Sequence, residues 1–73
     1  MNFKKFLNDK VTCEIHLHGS VNCFAKLDNG NWVAVLDNGD LDGVEVSPAD
    51  FNEVLTSMES IGASVRFTNH SAA

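Results

Sequence analysis

From Val11 to Leu17 the chain alternates apolar and polar residues without a break. Val11, Cys13, Ile15 and Leu17 share one face, and Thr12, Glu14, His16 and His18 the other, which is the pattern of a half-buried strand. Val21 to Leu27 alternates again, with Val21, Cys23, Ala25 and Leu27 on one face and Gly19-Ser20 as the turn between the strands. The tetrapeptide Leu27-Asp28-Asn29-Gly30 then recurs as Leu36-Asp37-Asn38-Gly39. Asn-Gly is the strongest short hairpin signal, because a type I′ turn needs positive φ at both central residues. A two-residue turn centred on Asn29-Gly30 sets Leu27 opposite Trp32, Ala25 opposite Ala34 and Cys23 opposite Leu36. That register leaves Phe24, Val33 and Val35 on the outer face, with Lys26 beside them. The second return strand contains Gly43, which predicts a bulge near Asp42-Gly43 before Val44 and Val46.

Two helices flank this meander. Phe3, Phe6 and Leu7 fall at helical spacing, predicting a short helix over Met1 to Asn8 that needs something to pack on. Ser47-Pro48-Ala49-Asp50 is a helix start, with a capping hydroxyl, a proline at the first position and an acid near the positive end. Phe51, Val54, Leu55, Met58 and Ile61 form one apolar stripe, and Gly62 suits the C-terminal cap. The helix from Pro48 to Ile61 therefore lies across one face of the sheet. Ala63 to Thr68 alternates as a last strand, and Asn69 to Ala73 is expected to be a frayed tail. The expected fold is α+β: a four- to five-stranded antiparallel sheet packed by one helix, plus the short N-terminal helix, all in one domain of 73 residues. The outer apolar patch is then covered either by the N-terminal helix or by a partner, most simply a second copy of the chain.

Composition narrows the class. Ten Asp and Glu stand against five Lys and Arg, a formal net charge of -5. That balance disfavours direct binding to nucleic acid or to anionic lipid and suits solubility or a basic partner. No apolar run reaches the roughly 20 residues of a membrane span, and the N-terminus has no signal-peptide pattern. The expected location is cytoplasmic, which keeps Cys13 and Cys23 as thiols. The alternation puts both cysteines on core-facing positions of neighbouring strands, directly opposite if the loop is Leu17-His18-Gly19.

Candidate chemistry is sparse. Glu14, His16 and His18 share a strand face and are weak candidate metal ligands, set against the plainer reading of a wet outer face. Asn38-Gly39-Asp40-Leu41-Asp42-Gly43 echoes the first half of a calcium loop, but the twelfth position is Ala49. Asp28, Asp37, Asp40 and Asp42 are expected to cluster at one end of the meander, around the turns, with no partner His or Ser in a catalytic motif. No enzyme activity, cofactor or resident metal is expected. The expected function is that of a small acidic binding protein occluding a partner protein's surface, such as a basic nucleic-acid-binding surface. A phage or mobile-element inhibitor of a host factor, for example of an anti-CRISPR or anti-restriction kind, would act so. The expected contacts are Phe24, Val33 and Val35 with Asp28, Asp37, Asp40 and Asp42. The alternatives are a homodimeric structural or accessory domain using the outer sheet face, and a metal-binding protein.

Overall fold

The computed structural model describes residues 10–70. The helix expected over Met1 to Asn8 lies outside the described residues. Strands β1 (Val11–Leu17), β2 (Ser20–Lys26), β3 (Trp32–Val35) and β4 (Leu41–Val46) are followed by helix α1 (Pro48–Ser60) and strand β5 (Ser64–Asn69). They form a five-stranded antiparallel sheet in the order β4-β3-β2-β1-β5. The meander therefore ends at one edge of the sheet, and the chain crosses to the other edge through α1. The dimensions fit: 13 helical residues span about 20 Å, and four strand spacings cover about 19 Å.

Local chemistry fixes both helix ends. The Ser47 hydroxyl accepts the Asp50 N–H at 3.2 Å, and Pro48 occupies the first turn. At the far end Gly62 adopts φ 101°. Its N–H donates to the Glu59 carbonyl, and the Ala63 N–H donates to the Met58 carbonyl, both at 3.1 Å. This is a complete Schellman motif, with Ala63 and Met58 both packed on the core beside it.

The hairpins correct the expected register. Leu27 N–H donates to the Asn31 carbonyl at 2.7 Å, and Gly30 N–H to the Leu27 carbonyl at 2.9 Å. Only Gly30, not Asn29, has positive φ. The turn is thus a three-residue loop with a glycine bulge, not a two-residue type I′ turn. The extra loop residue shifts the pairing by one: Lys26 faces Trp32, Ala25 faces Val33, Phe24 faces Ala34 and Cys23 faces Val35. A one-residue slip exchanges the faces of β2. Phe24 moves to the helix side, and Cys23 and Ala25 move to the outer side with Val33 and Val35. The second Leu-Asp-Asn-Gly folds the same way, with Leu36 N–H to the Asp40 carbonyl and Gly39 N–H to the Leu36 carbonyl, each 2.8 Å. Asn29 Oδ1 accepts the Asn31 N–H, and Asn38 Oδ1 accepts the Asp40 N–H, so each asparagine locks its own loop.

The type I′ pattern occurs instead between β1 and β2. His18 and Gly19 have φ 51° and 81°, and Leu17 pairs with Ser20. Cys13 then faces Phe24, not Cys23, and the two thiols lie on opposite faces of the sheet. The bulge expected in β4 is present: pairing shifts between Val33-Glu45 and Val35-Leu41.

The core sits between α1 and one sheet face. Cys13, Ile15, Trp32, Phe51 and Leu55 are buried, with Val11, Phe24, Val46, Met58, Ala63 and Val65 packed against them. Val54 and Ile61 are exposed, so the apolar stripe of the helix narrows to Phe51, Leu55 and Met58. Trp32 and Phe67 lie 6.0 Å apart by ring centroids. Their strands are three spacings apart, roughly 14 Å in a flat sheet, so the sheet curls and brings the two rings together. The sequence pattern also places Asn69 and His70 in the tail. Instead Asn69 pairs with Val11, and the His70 N–H donates to the Lys10 carbonyl at 2.8 Å.

Candidate functional site

Successive turns of a meander fall at alternate ends of the sheet. The aspartates therefore divide, against the expectation of one cluster. Asp28 lies at the end that carries Lys10, and accepts a 2.6 Å bond from its ammonium. Asp37, Asp40 and Asp42 lie at the opposite end, around the β3-β4 turn. All three are exposed, and Asn38 Nδ2 donates to Asp40 at 3.0 Å.

A cleft opens beside them. Pairing between β2 and β3 stops at Cys23-Val35, while β2 stays paired with β1 back to Ser20. The strands part over the residues between, leaving a depression of about 680 Å³ lined by Val21, Cys23, Phe24, Val35, Leu36 and Asp37 among others. Val21 and Leu36 are large apolar residues exposed at 56% and 47%. The depression thus sets exposed apolar area beside an acidic turn.

The other expected contacts fare differently. Phe24 lies on the core face, edge-on to Phe51 with ring centroids 5.2 Å apart, and reaches the cleft only as part of its lining. Val33 is on the outer face but only 3% exposed, and its neighbour Ala25 is fully buried. Neither offers area to a partner. Val35 stays half-buried and lines the cleft. Val21 and Leu36 are hidden by the two-residue reading of the turn, which pairs Leu36 with Cys23 rather than leaving it at a parting of strands.

Glu14 and His16 meet, with His16 Nε2 2.9 Å from Glu14 Oε1. His18 is taken out of the strand by its left-handed turn conformation and does not join them. Among the described residues no three His, Cys, Asp or Glu side chains are grouped as a metal site requires. The partial calcium-loop pattern is used up in the hairpin and in β4.

At the Asp28 end, Glu45 Oε1 accepts from both Asn29 Nδ2 and Asn31 Nδ2 at 3.0 Å. These bonds hold its carboxyl below the ordinary range, the Asn29 contribution being the larger. The pairing ties β4 to the β2-β3 turn. Both cysteines are free thiols. Burial, then the nearby Cys23 and Glu14, pushes Cys13 up to about 11. Burial and Glu14 push Cys23 up as well. A raised thiol holds little thiolate near neutral pH, so neither cysteine carries the lowered pKa of an activated thiol. No helix among the described residues is long and apolar enough to cross a membrane. Compared with family models, with curated proteins and with solved structures, the chain matches none.

Proposed function

We propose that this is a non-enzymatic binding protein that works in the cytoplasm by occluding the surface of a partner protein. The observation that supports it is the cleft between the parted ends of β2 and β3, where exposed Val21 and Leu36 lie beside Asp37. The apolar walls would supply desolvated area, and Asp37, Asp40 and Asp42 would steer a basic surface towards it. The partner this fits has an apolar anchor surrounded by Lys or Arg, as a nucleic-acid-binding surface often does. Blocking such a surface on a host defence factor, as an inhibitor from a phage or mobile element would, is the finer form of this reading. Size and net charge are its support.

The test is capture by cross-linking from extracts of the source cells, comparing wild type with Leu36→Lys and with Asp37→Lys/Asp42→Lys. The expected result is one dominant partner, lost in Leu36→Lys and captured more slowly, with a weaker salt dependence, in the charge variant. Equal capture by folded variants would move the function away from the cleft. No specific partner for wild type would remove the reading.

A further inference from the structure

The two edges of the sheet are built differently. At β4 the pairing is broken by a bulge, and Asp42 and Glu45 stand on the edge. Irregular pairing and charge are how edge strands avoid pairing with other chains. At β5 the ladder to β1 is regular from Ser64 to Asn69, with no proline, glycine or acid. Among the described residues β5 is the outermost strand on its side. Phe67 on this strand is 55% exposed.

We infer that β5 pairs antiparallel with β5 of a second copy, joining two sheets into one continuous sheet. Three observations select a second copy as the occupant. The first is hydrogen-bond phase. The His70 N–H bonds the Lys10 carbonyl, so antiparallel alternation turns Thr68, Arg66 and Ser64 towards β1 and points the backbone groups of Val65, Phe67 and Asn69 outward. A two-fold axis through Phe67 then pairs Val65 with Asn69, Phe67 with Phe67 and Asn69 with Val65, and every outward group on these residues meets its complement. The second is side-chain fit. This register sets aromatic on aromatic, whereas centring on Arg66 opposes two guanidinium groups and centring on Thr68 sets Phe67 against Asn69. The third is charge. The chain carries a net -5, yet Ser64 to His70 contains Arg66 and no carboxylate, so two acidic molecules meet along a segment free of acidic side chains.

A two-fold axis perpendicular to the sheet keeps both α1 helices on one side and buries both Phe67 rings beside them. It also leaves both β2-β3 clefts open, so the inference stands apart from the proposed function. Sedimentation of the full chain at about 100 μM is expected to show twice the monomer mass, within the range of a micromolar interface. Two variants address the edge. Phe67→Lys places a charge at the centre. Asn69→Pro removes an outward N–H that makes no bond to β1, a position where proline is tolerated. Both are expected to be folded monomers by circular dichroism and sedimentation. In a mixed-isotope sample of wild type, cross-copy contacts are expected between Arg66 and Thr68, the close non-hydrogen-bonded pair of this register. A monomeric wild type at that concentration overturns the inference. So does a dimer that persists in folded Asn69→Pro, which would place the interface elsewhere.

Discussion

The rings of Trp32 and Phe51 stack with centroids 4.4 Å apart and planes 14° from parallel. Trp32 opens β3, and Phe51 sits in the first turns of α1, so this one contact pins the start of the helix to the middle of the meander. Phe51 is 2% exposed and also meets Phe24 edge-on. Phe51→Ala is expected to cost about 3–5 kcal/mol, as large-to-small changes of buried aromatics do. Ser47→Ala, which removes the cap that sets the entry of the helix, is expected to cost about 1 kcal/mol. Val54→Ala, on the same helix but exposed, should stay within about 0.5 kcal/mol of wild type. Urea denaturation of the three variants checks the ranking. A large loss at Val54 would show that the helix packs on a wider stripe than the one described.

The ends of α1 were legible because their signals are local. Ser47-Pro48 and Gly62 act through bonds that span a few residues. The strands were legible through their alternation. Their register was not, because Asp28-Asn29-Gly30 supports both a two-residue and a three-residue loop, and one residue of difference exchanges Phe24 and Cys23 between faces. The apolar pairing Cys23-Leu36 argued for the wrong loop with the same force as the right one, since β3 is apolar at successive positions from Trp32 to Leu36. His18 offered no warning that it would take a left-handed turn. The cleft followed from the true register and so was invisible until that was known.

Glycines of the meander divide into two kinds. Gly30 has φ 92°, and an added Cβ there would meet nothing within 4 Å. Gly30→Ala is therefore expected to cost about 1–2 kcal/mol through backbone conformation alone. Gly43, in the bulged strand, has no such φ and equally open space. Gly43→Ala is expected to stabilise by about 0.4–1 kcal/mol, because it restricts the unfolded chain. Thermal midpoints should move in opposite directions. A loss at Gly43 as large as at Gly30 would mean that the β4 bulge needs glycine for its own geometry.

The two thiols should differ in reactivity and contribute to pH dependence. Cys13 is fully buried and Cys23 is half-buried. With iodoacetamide, Cys23 is expected to react first and Cys13 only when the domain opens. Burial raises Cys13 from its ordinary 9.0 to about 11. A thiol whose folded value is raised gives stability that is fully present below the unfolded value and lost as pH rises through the folded value. Stability should therefore fall between about pH 9 and 11, and Cys13→Ala should flatten that part of the curve while lowering stability at neutral pH. Denaturation measured across that window checks both. An unchanged slope in Cys13→Ala would assign the alkaline loss to other groups.

Thr12 Oγ1 and His70 Nε2 lie 2.8 Å apart, with Thr12 only 3% exposed on the outer sheet face. A buried hydroxyl stripped of its partner costs more than the bond itself contributes. His70→Ala should therefore cost about 1–3 kcal/mol. Much of that should be recovered in Thr12→Val/His70→Ala, where no hydroxyl remains to be satisfied. The double-mutant cycle is expected to show coupling of about 0.5–3 kcal/mol. His70→Ala keeps the backbone bond from residue 70 to the Lys10 carbonyl, so the end of β5 should stay paired and the amide at 70 should remain protected from exchange. Additive effects in the cycle would mean that this bond is not what holds the chain end to β1. Loss of amide protection in the single variant would show instead that the imidazole anchors the last rung of the ladder, which would make the β5 edge sensitive to the same substitution.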